Sequence, residues 1–451
     1  MQTTIKQLRQ QTNDLVKIGA TDLDGVLRCK YLHRDKVLSA MEKGLGFCNV
    51  IFGWDIADVV YENKKPQKDT KRVSFPDAKA TIIPDSYRTI PWENNTPFLL
   101  ADFANEKSFV GKVCPRQLLA QVCQKAEQMG FAARFGPEYE WFTYRESPTT
   151  LAEKNYLDLQ PITPGMFGYS GLRTSQNAPF FHNLFQQLAD FRVNLEGLHT
   201  ETGPGVLEAA ILHQPALEAA DRAILFKQSV KEVSYRHGWV ASFMAKPSVS
   251  LPGCGGHLHQ SLWRGGKNLF YDEQRPNAIS QLFEHYLAGQ LTVLPVLMPM
   301  LAPTVNSYKR YVAGSWAATH FNWGVDNRTT ALRVIRGYDS KSTRLETRIP
   351  GADANPYLAI AACLAAGLYG IEHQLPLPDA AVTGSAYSEI TGVPLPLDLH
   401  EATRHMQASE LPAMLFGPTF TEHFIQTRQW EWQQYQQAVT DWEIKRYFEL
   451  T

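Results

Sequence analysis

The 451-residue sequence has no excess of either charge, no closely spaced cysteines and no apolar run long enough to cross a membrane. Lys plus Arg number 44 against 45 Asp plus Glu, a formal net charge of −1. That balance argues against general affinity for nucleic acid or anionic membranes, which needs a basic excess. Six cysteines (Cys29, Cys48, Cys114, Cys123, Cys254, Cys363) lie far apart with no CxxC pair. In a chain this long they read as reduced thiols of a cytosolic protein, not as a disulfide framework or zinc site. The polar start, Met1-Gln-Thr-Thr-Ile-Lys, shows no secretory h-region. The longest apolar run, Tyr357 to Ile371, is shorter than the ~20 residues of a spanning helix. It reads as a buried helix, capped by Asn355 and opened by Pro356. A Walker A motif and a GxGxxG loop are both missing, which counts against a P-loop or Rossmann nucleotide site. There is no internal repeat or low-complexity stretch.

What is present is ample core material. Apolar residues make up 44% of the chain and aromatic residues 11%, which excludes wholesale disorder, collagen and coiled coil. Residues 15 to 33 alternate as a hairpin around Asp22-Leu-Asp-Gly25, and short strands with Pro-rich turns follow to Asp102. Helical spacing begins at Pro115 and stops at Gly130, so a boundary is expected near 104–114, between domains 10–104 and 112–451. Beyond it, strands are expected at 131–135, 138–144, 194–201, 206–212, 255–263, 330–336 and 344–349. Helices are expected at 115–129, 180–190, 215–237, 277–290, 353–372 and in the last forty residues. Residues 146–179 read as a long loop, functional or mobile by its length.

Five short stretches gather polar groups, most of them at strand period, where residues i and i+2 share a face. They are Phe135-Gly-Pro-Glu138-Tyr-Glu140, Glu196-Gly-Leu-His199-Thr-Glu201 with Gly-Pro-Gly leading to Glu208, and Gly253-Cys-Gly-Gly-His257-Leu-His259-Gln-Ser261. Arg328-Thr-Thr-Ala-Leu-Arg333 and Arg344-Leu-Glu346-Thr-Arg348 complete the set. Singly, each is ordinary: Glu-x-Glu is commonly a solvated face, and Arg-x-Glu-x-Arg a surface ladder worth under ~1 kcal/mol. Jointly, with apolar neighbours, they predict one inward face. Five glutamates there need compensating cations, and carboxylates with one histidine suit Mg²⁺ or Mn²⁺. Arginines and a Gly-rich approach suit phosphate and carboxylate groups, and the combination points to phosphoryl transfer.

These motifs, in this order, resemble the glutamine synthetase family over nearly the whole chain. Asn306-Ser-Tyr-Lys-Arg310, Asn327-Arg328, and Ile-Pro-Gly-Ala-Asp-Ala-Asn-Pro-Tyr after Arg348 extend the match. The resemblance implies an α+β fold: an N-terminal β-grasp domain, then a curved antiparallel sheet forming part of a barrel with flanking helices. It implies ATP and two or three Mg²⁺ or Mn²⁺ ions per site. One ion would be held by Glu140, Glu201 and Glu208, and a second by Glu138, His257 and Glu346. Glu196, His259, Ser261, Lys341 and Arg344 would bind nucleotide. Arg310, Arg348 and the backbone near Gly253 would bind glutamate, and Arg328 and Arg333 would neutralise the transferring phosphoryl group.

By this resemblance ATP converts the γ-carboxylate of L-glutamate to an acyl phosphate, which an amine then attacks. The amine site departs from the family pattern, because Trp316 stands where members that use ammonia carry an acid. The small-domain motif Phe-Asp-Gly-Ser-Ser is replaced by Phe52-Gly-Trp54-Asp55-Ile-Ala-Asp58. A tryptophan face can hold a cation for ~0.5–2 kcal/mol and favours an amine with an apolar body. The expected acceptor is therefore an organic amine, as in the γ-glutamylpolyamine or γ-glutamylmonoamine synthetase branch. Alternatives are ammonia, with Asp55 or Asp58 as the acid, a scaffold without catalysis, and a guanidino kinase. The family implies a homo-oligomer, a dodecamer of two stacked hexameric rings, with Asp55, Asp58 and Trp54 facing a neighbouring site.

Overall fold

The computed structural model describes residues 1–61, 75–337 and 339–451. Two sheets organise the chain. The first contains β1 (Leu15–Thr21), β2 (Leu27–His33), β3 (Leu45–Cys48), β4 (Asp77–Ile82), β5 (Arg88–Ile90) and β6 (Thr96–Asp102). Its order is β2-β1-β6-β4-β3, with β1 and β6 parallel and the other pairs antiparallel. The expected hairpin turns where foreseen: Asp22 Oδ1 accepts from the amides of Asp24 and Val26 at 3.0 and 2.8 Å. Helix Arg34–Lys43 links β2 to β3, giving the β-grasp arrangement. Part of the stretch expected to hold strands and turns before Asp102, residues 62–74, lies outside the described residues.

Among the described residues the second sheet has ten strands, and seven form its path: β7 (Ala132–Tyr144), β8 (Leu195–Thr200), β9 (Val206–Ile211), β10 (Gly256–Arg264), β11 (Trp323–Val325), β12 (Leu332–Ile335) and β13 (Arg344–Thr347). The order is β11-β12-β13-β10-β7-β9-β8, antiparallel except for β11 with β12. This is the curled half-barrel sheet, with helices Pro115–Gln128, Ala216–Arg236, Gln281–Leu301 and Pro356–Glu372 behind it. The strand expected in two pieces at 131–135 and 138–144 is continuous, because Pro137 sits in the ladder opposite Leu258.

Helix Pro356–Glu372 is almost wholly buried, and the Asn355 side chain accepts from the Tyr357 amide at 3.0 Å, as the cap predicts. It crosses helix Gln281–Leu301 at close range: a Cβ on Gly289 would lie 2.2 Å from the Ala366 carbonyl oxygen. That second helix runs eleven residues past its expected end at 290 and contains Pro295 and Pro299. Proline weakens a helix locally, but burial of Leu291, Leu294, Leu297 and Met298 outweighs it. Residues 146–179, expected as loop, contain the short helices Pro148–Glu153 and Gly171–Gln176. Helices Gln2–Gln10, Arg34–Lys43 and Leu399–Ala408 were not anticipated from the pattern, whereas Leu411–Phe416 falls at the start of the last forty residues, where helix was expected. All six cysteines are free. Among the described residues no helix is long and apolar enough to cross a membrane.

Candidate active site

Side chains facing each other across an antiparallel ladder share one side of the sheet. The register sets His257 opposite Glu138, His259 opposite Glu346, and Glu346 opposite Arg333. On the other flank it sets Glu208 opposite Glu140 and His199 opposite Glu208. Six strands therefore deliver one row of acids, imidazoles and a guanidinium to a common face. The period-two motifs in the sequence carried that outcome.

At one end of the row the acids are surrounded by arginines and imidazoles. Glu346, 1% exposed, accepts from Arg333 Nη1 at 3.0 Å and from Arg348 Nη1, and lies 3.5 Å from His257 Nδ1. Glu138 is 3.1 Å from His257 Nδ1 and 3.6 Å from His259 Nε2. Burial would raise both carboxyls, but Arg348 and the two histidines hold Glu346 down to about 2, and hydrogen bonds from the histidines hold Glu138 well below its usual range.

The other end is short of cations. Burial pushes Glu140 up to about 7, against the opposing effects of the Gly255 amide on its Oε2 and of Arg310. Burial likewise raises Glu208 to about 7 against a hydrogen bond from His199, with Glu138 and Glu140 adding repulsion. Glu201 Oε1 accepts from the Thr202 amide at 2.8 Å. His199 belongs to the Glu196–Glu201 motif but was given no role from sequence. Its signal was its place two residues before Glu201, on the same strand face.

The donors fit divalent cations. Ligand atoms of Glu138, His259 and Glu346 lie within 4.8 Å of one another, as do those of His199, Glu201 and Glu208. Carboxylates with imidazole suit Mg²⁺ or Mn²⁺, and the unneutralised Glu140 and Glu208 give such a cation a reason to bind. His257, expected as a ligand, touches the first group through both Glu138 and Glu346.

A cleft of about 470 Å³ opens beside the row. All five residues expected around a nucleotide line it: Glu196, His259, Ser261, Lys341 and Arg344. Arg328 and Arg333 line it too. Arg344 Nε donates to His259 Nδ1 at 3.1 Å, which turns the His259 Nε2 toward Glu138. Sequence reasoning missed Arg134, His213 and Trp263 on the same wall. Trp263 Nε1 donates to Ser261 Oγ at 2.8 Å, and the Arg134 guanidinium lies 5.7 Å from the Trp263 ring centre.

Arg310 and Arg348 are buried. Arg310 Nη2 donates to the carbonyls of Arg348 and Pro350, both at 3.2 Å, and to that of Ile349. A Cβ at Gly253 would lie 2.4 Å from Arg310 Cγ, so glycine there lets the arginine pass. The Nε atoms of Arg310, Arg333 and Arg348 are buried with no hydrogen-bond partner among the described residues. Of these, Arg333 lines the cleft, and unanswered cationic donors suit an anionic guest.

The remaining expected residues lie apart from the row in their contacts. Trp316 is 63% exposed with φ +60°, and its carbonyl accepts from Arg348 Nη2 at 3.2 Å. Asp55 is buried: Oδ1 accepts from the amides of Ala57 and Val59, and Oδ2 from Trp430 Nε1 at 2.9 Å. Asp58 pairs with Arg28 at 2.6 Å, and that guanidinium stacks 4.9 Å over Trp54.

The profile of a family described as glutamine synthetase, catalytic domain, matches residues 112–447. The chain is 47% identical to type-1 glutamine synthetase 2 of Dictyostelium discoideum, across 99% of this chain and 86% of the relative. It is 35% identical to a glutamate–isopropylamine ligase of Pseudomonas sp, across 97% and 95% of the two chains. It is 33% identical to a γ-glutamylethanolamide synthetase of Streptomyces coelicolor, across 97% and 93%. A solved GmaS–ADP complex superposes with a TM-score of 0.85 at 28% identity, across 99% of this chain and 100% of the other. With its row of facing acids and imidazoles on a curled sheet, and these matches along nearly its full length, the chain belongs to the glutamine synthetase family.

Proposed function

We propose that the chain is an ATP-dependent ligase that joins the γ-carboxylate of L-glutamate to an amine through a γ-glutamyl phosphate. The observation that carries this reading is a cleft lined by Glu138, His259, Glu346, Arg328, Arg333 and Arg344, on a sheet face whose register also brings in the cation-poor Glu140 and Glu208. Relatives named as glutamate–amine ligases support the class of reaction.

A carboxylate is a poor acyl electrophile, so its oxygen must first take the γ-phosphoryl group of ATP; an amine then displaces phosphate. Glu196, His259, Ser261, Lys341 and Arg344 bind the nucleotide along the cleft. Arg310 and Arg348, with the backbone at Gly253, hold the glutamate carboxylates. Arg328 and Arg333 face the phosphoryl group in transit and stabilise its charge. Mg²⁺ or Mn²⁺ held by Glu140, Glu201 and Glu208, and by Glu138, His257 and Glu346, would offset phosphate charge. Exclusion of water protects the acyl phosphate from hydrolysis.

The acceptor we infer is an organic amine. Trp316 replaces an acid of the ammonia-using pattern; it is 63% exposed, and its backbone carbonyl accepts from Arg348. A stacked-ring homo-oligomer would set a neighbour's first sheet against this site. Asp58, with a side chain 55% exposed, is then more available than Asp55 to the acceptor. A second reading, ammonia, has support in the name of the 47% identical relative. Release of ADP with L-glutamate, Mg²⁺ and a panel of ammonia, monoamines and polyamines separates the two. An organic amine should give the highest kcat/KM; ammonia ahead of every organic amine would replace the first acceptor by the second.

A further inference from the structure

His199 is the one imidazole in the row to which the proposed mechanism gives no task, and its ring is fixed on three sides. Nδ1 lies 3.1 Å from the Thr200 carbonyl oxygen and 3.8 Å from Glu201 Oε2. A carbonyl and a carboxylate only accept, so Nδ1 carries the hydrogen. Tyr169 covers the ring face, with centroids 4.3 Å apart and planes at 26°. The Tyr169 backbone is pinned in turn: its amide donates to the Thr200 carbonyl at 2.7 Å, and the Ser170 amide donates to Thr200 Oγ1 at 3.0 Å. Tyr169 takes a left-handed φ of +53° to reach that position.

Nε2 faces Glu208 Oε1 at 3.2 Å. At that distance a nitrogen and a carboxylate oxygen need positive charge between them, supplied by a proton in the hydrogen bond described above or, in the neutral ring, by a metal cation on the Nε2 lone pair. A cation with bonds of ~2.1 Å in octahedral geometry places neighbouring ligand atoms ~3.0 Å apart, close to the observed spacing. Donation of the other ring N–H to a backbone carbonyl is also how metal-ligating histidines are oriented.

We propose that His199 is a cation ligand through Nε2, beside Glu201 and Glu208, and that it tilts this site toward metals that accept imidazole. Carboxylates alone favour Mg²⁺; an imidazole nitrogen adds affinity for Co²⁺ or Ni²⁺ more than for Mg²⁺. Tyr169 is a positioning residue that acts by holding the His199 ring. The inference rests on the proposed function only in that a divalent cation binds here.

The full chain, stripped of metal with a chelator, is titrated separately with Co²⁺ and Mg²⁺ by calorimetry, without ATP or glutamate. The visible spectrum of bound Co²⁺ gives a second readout. His199→Asn should weaken Co²⁺ about tenfold or more at one class of site and change the Co²⁺ spectrum, while Mg²⁺ affinity shifts less than about threefold. Tyr169→Ala should weaken Co²⁺ by a smaller factor in the same direction. The second donor group, with His257 and His259, serves as the unaltered reference. Unchanged affinities and spectrum in His199→Asn would overturn the proposal. So would equal loss for both metals, which marks a structural prop, or tighter binding of both, which marks an imidazolium that the cation must displace. His199→Gln, with its thermal midpoint measured in chelator, stands in if the asparagine variant does not fold. Absence of glutamate-dependent ADP release would overturn the ligase reading and leave this titration intact; failure here leaves the ligase reading standing.

Discussion

In metal-free protein, the cation-poor end of the acid row should make stability fall as pH rises. Glu140 and Glu208 both sit at about 7 instead of 4.5. A carboxyl raised on folding binds its proton more tightly in the native state. Its stabilising contribution is complete below pH 4.5 and is lost as pH climbs through 7. A tenfold gain in proton affinity is worth ~1.4 kcal/mol, so full ionisation costs at most about 3 kcal/mol per group by pH 8. His199, raised by Glu208 against the opposing effect of burial, changes in the same direction. Glu346, held at about 2, stays ionised over the whole range and adds no slope. The assay is urea unfolding in chelator at pH 5, 6, 7 and 8, for the wild type and Glu208→Gln. The stability difference, wild type minus variant, should fall by about 3 kcal/mol between pH 5 and 8. Added Mg²⁺ should reverse the trend, since a cation at 100 times its dissociation constant returns ~2.7 kcal/mol and competes better once the carboxyls are ionised. A difference that is flat or rising with pH in chelator would refute the electrostatic reasoning.

Glu346→Ala should cost about 3–5 kcal/mol in urea unfolding, because it leaves the Arg333 and Arg348 guanidinium groups without their shared carboxylate; a loss under 1 kcal/mol would contradict this. Arg333→Ala should lower kcat on the order of 10²-fold with little change in the KM for glutamate, if its cation serves the phosphoryl group in transit. Asp55→Ala should lower stability by about 2 kcal/mol through loss of three hydrogen bonds, one buried and two part-buried, while kcat changes less than about threefold. A large kcat effect with full stability would return Asp55 to the acceptor site.

Much of the fold was legible because the sheet repeats every two residues. Glu138 and Glu140, His257 and His259, and Arg344, Glu346 and Arg348 declared a shared face before any register was known. The register added what periodicity cannot give, namely that Glu208 faces Glu140 while Glu346 faces Arg333 and His259. That pairing splits the acids into a neutralised end and an uncompensated end. Helix Gln281–Leu301 runs past the expected end at 290 and through Pro295, a local breaker, because burial is a tertiary fact that local pattern does not carry. Asp55 looked like a free acid until Trp430, 375 residues away, proved to hold it. His199 was visible in its motif, but the Tyr169 ring that singles it out comes from residues 146–179, where no period guides the eye.

The central claim is that a γ-carboxylate oxygen of glutamate takes the phosphoryl group of ATP and leaves with it. The direct measurement uses L-glutamate labelled with ¹⁸O in the γ-carboxylate, with ATP, Mg²⁺ and the best amine, and reads inorganic phosphate and the γ-glutamyl amide by mass spectrometry. The account predicts one ¹⁸O atom in each phosphate released and one retained in the amide. Phosphate released without label, or ATP turnover that does not depend on glutamate, would contradict it.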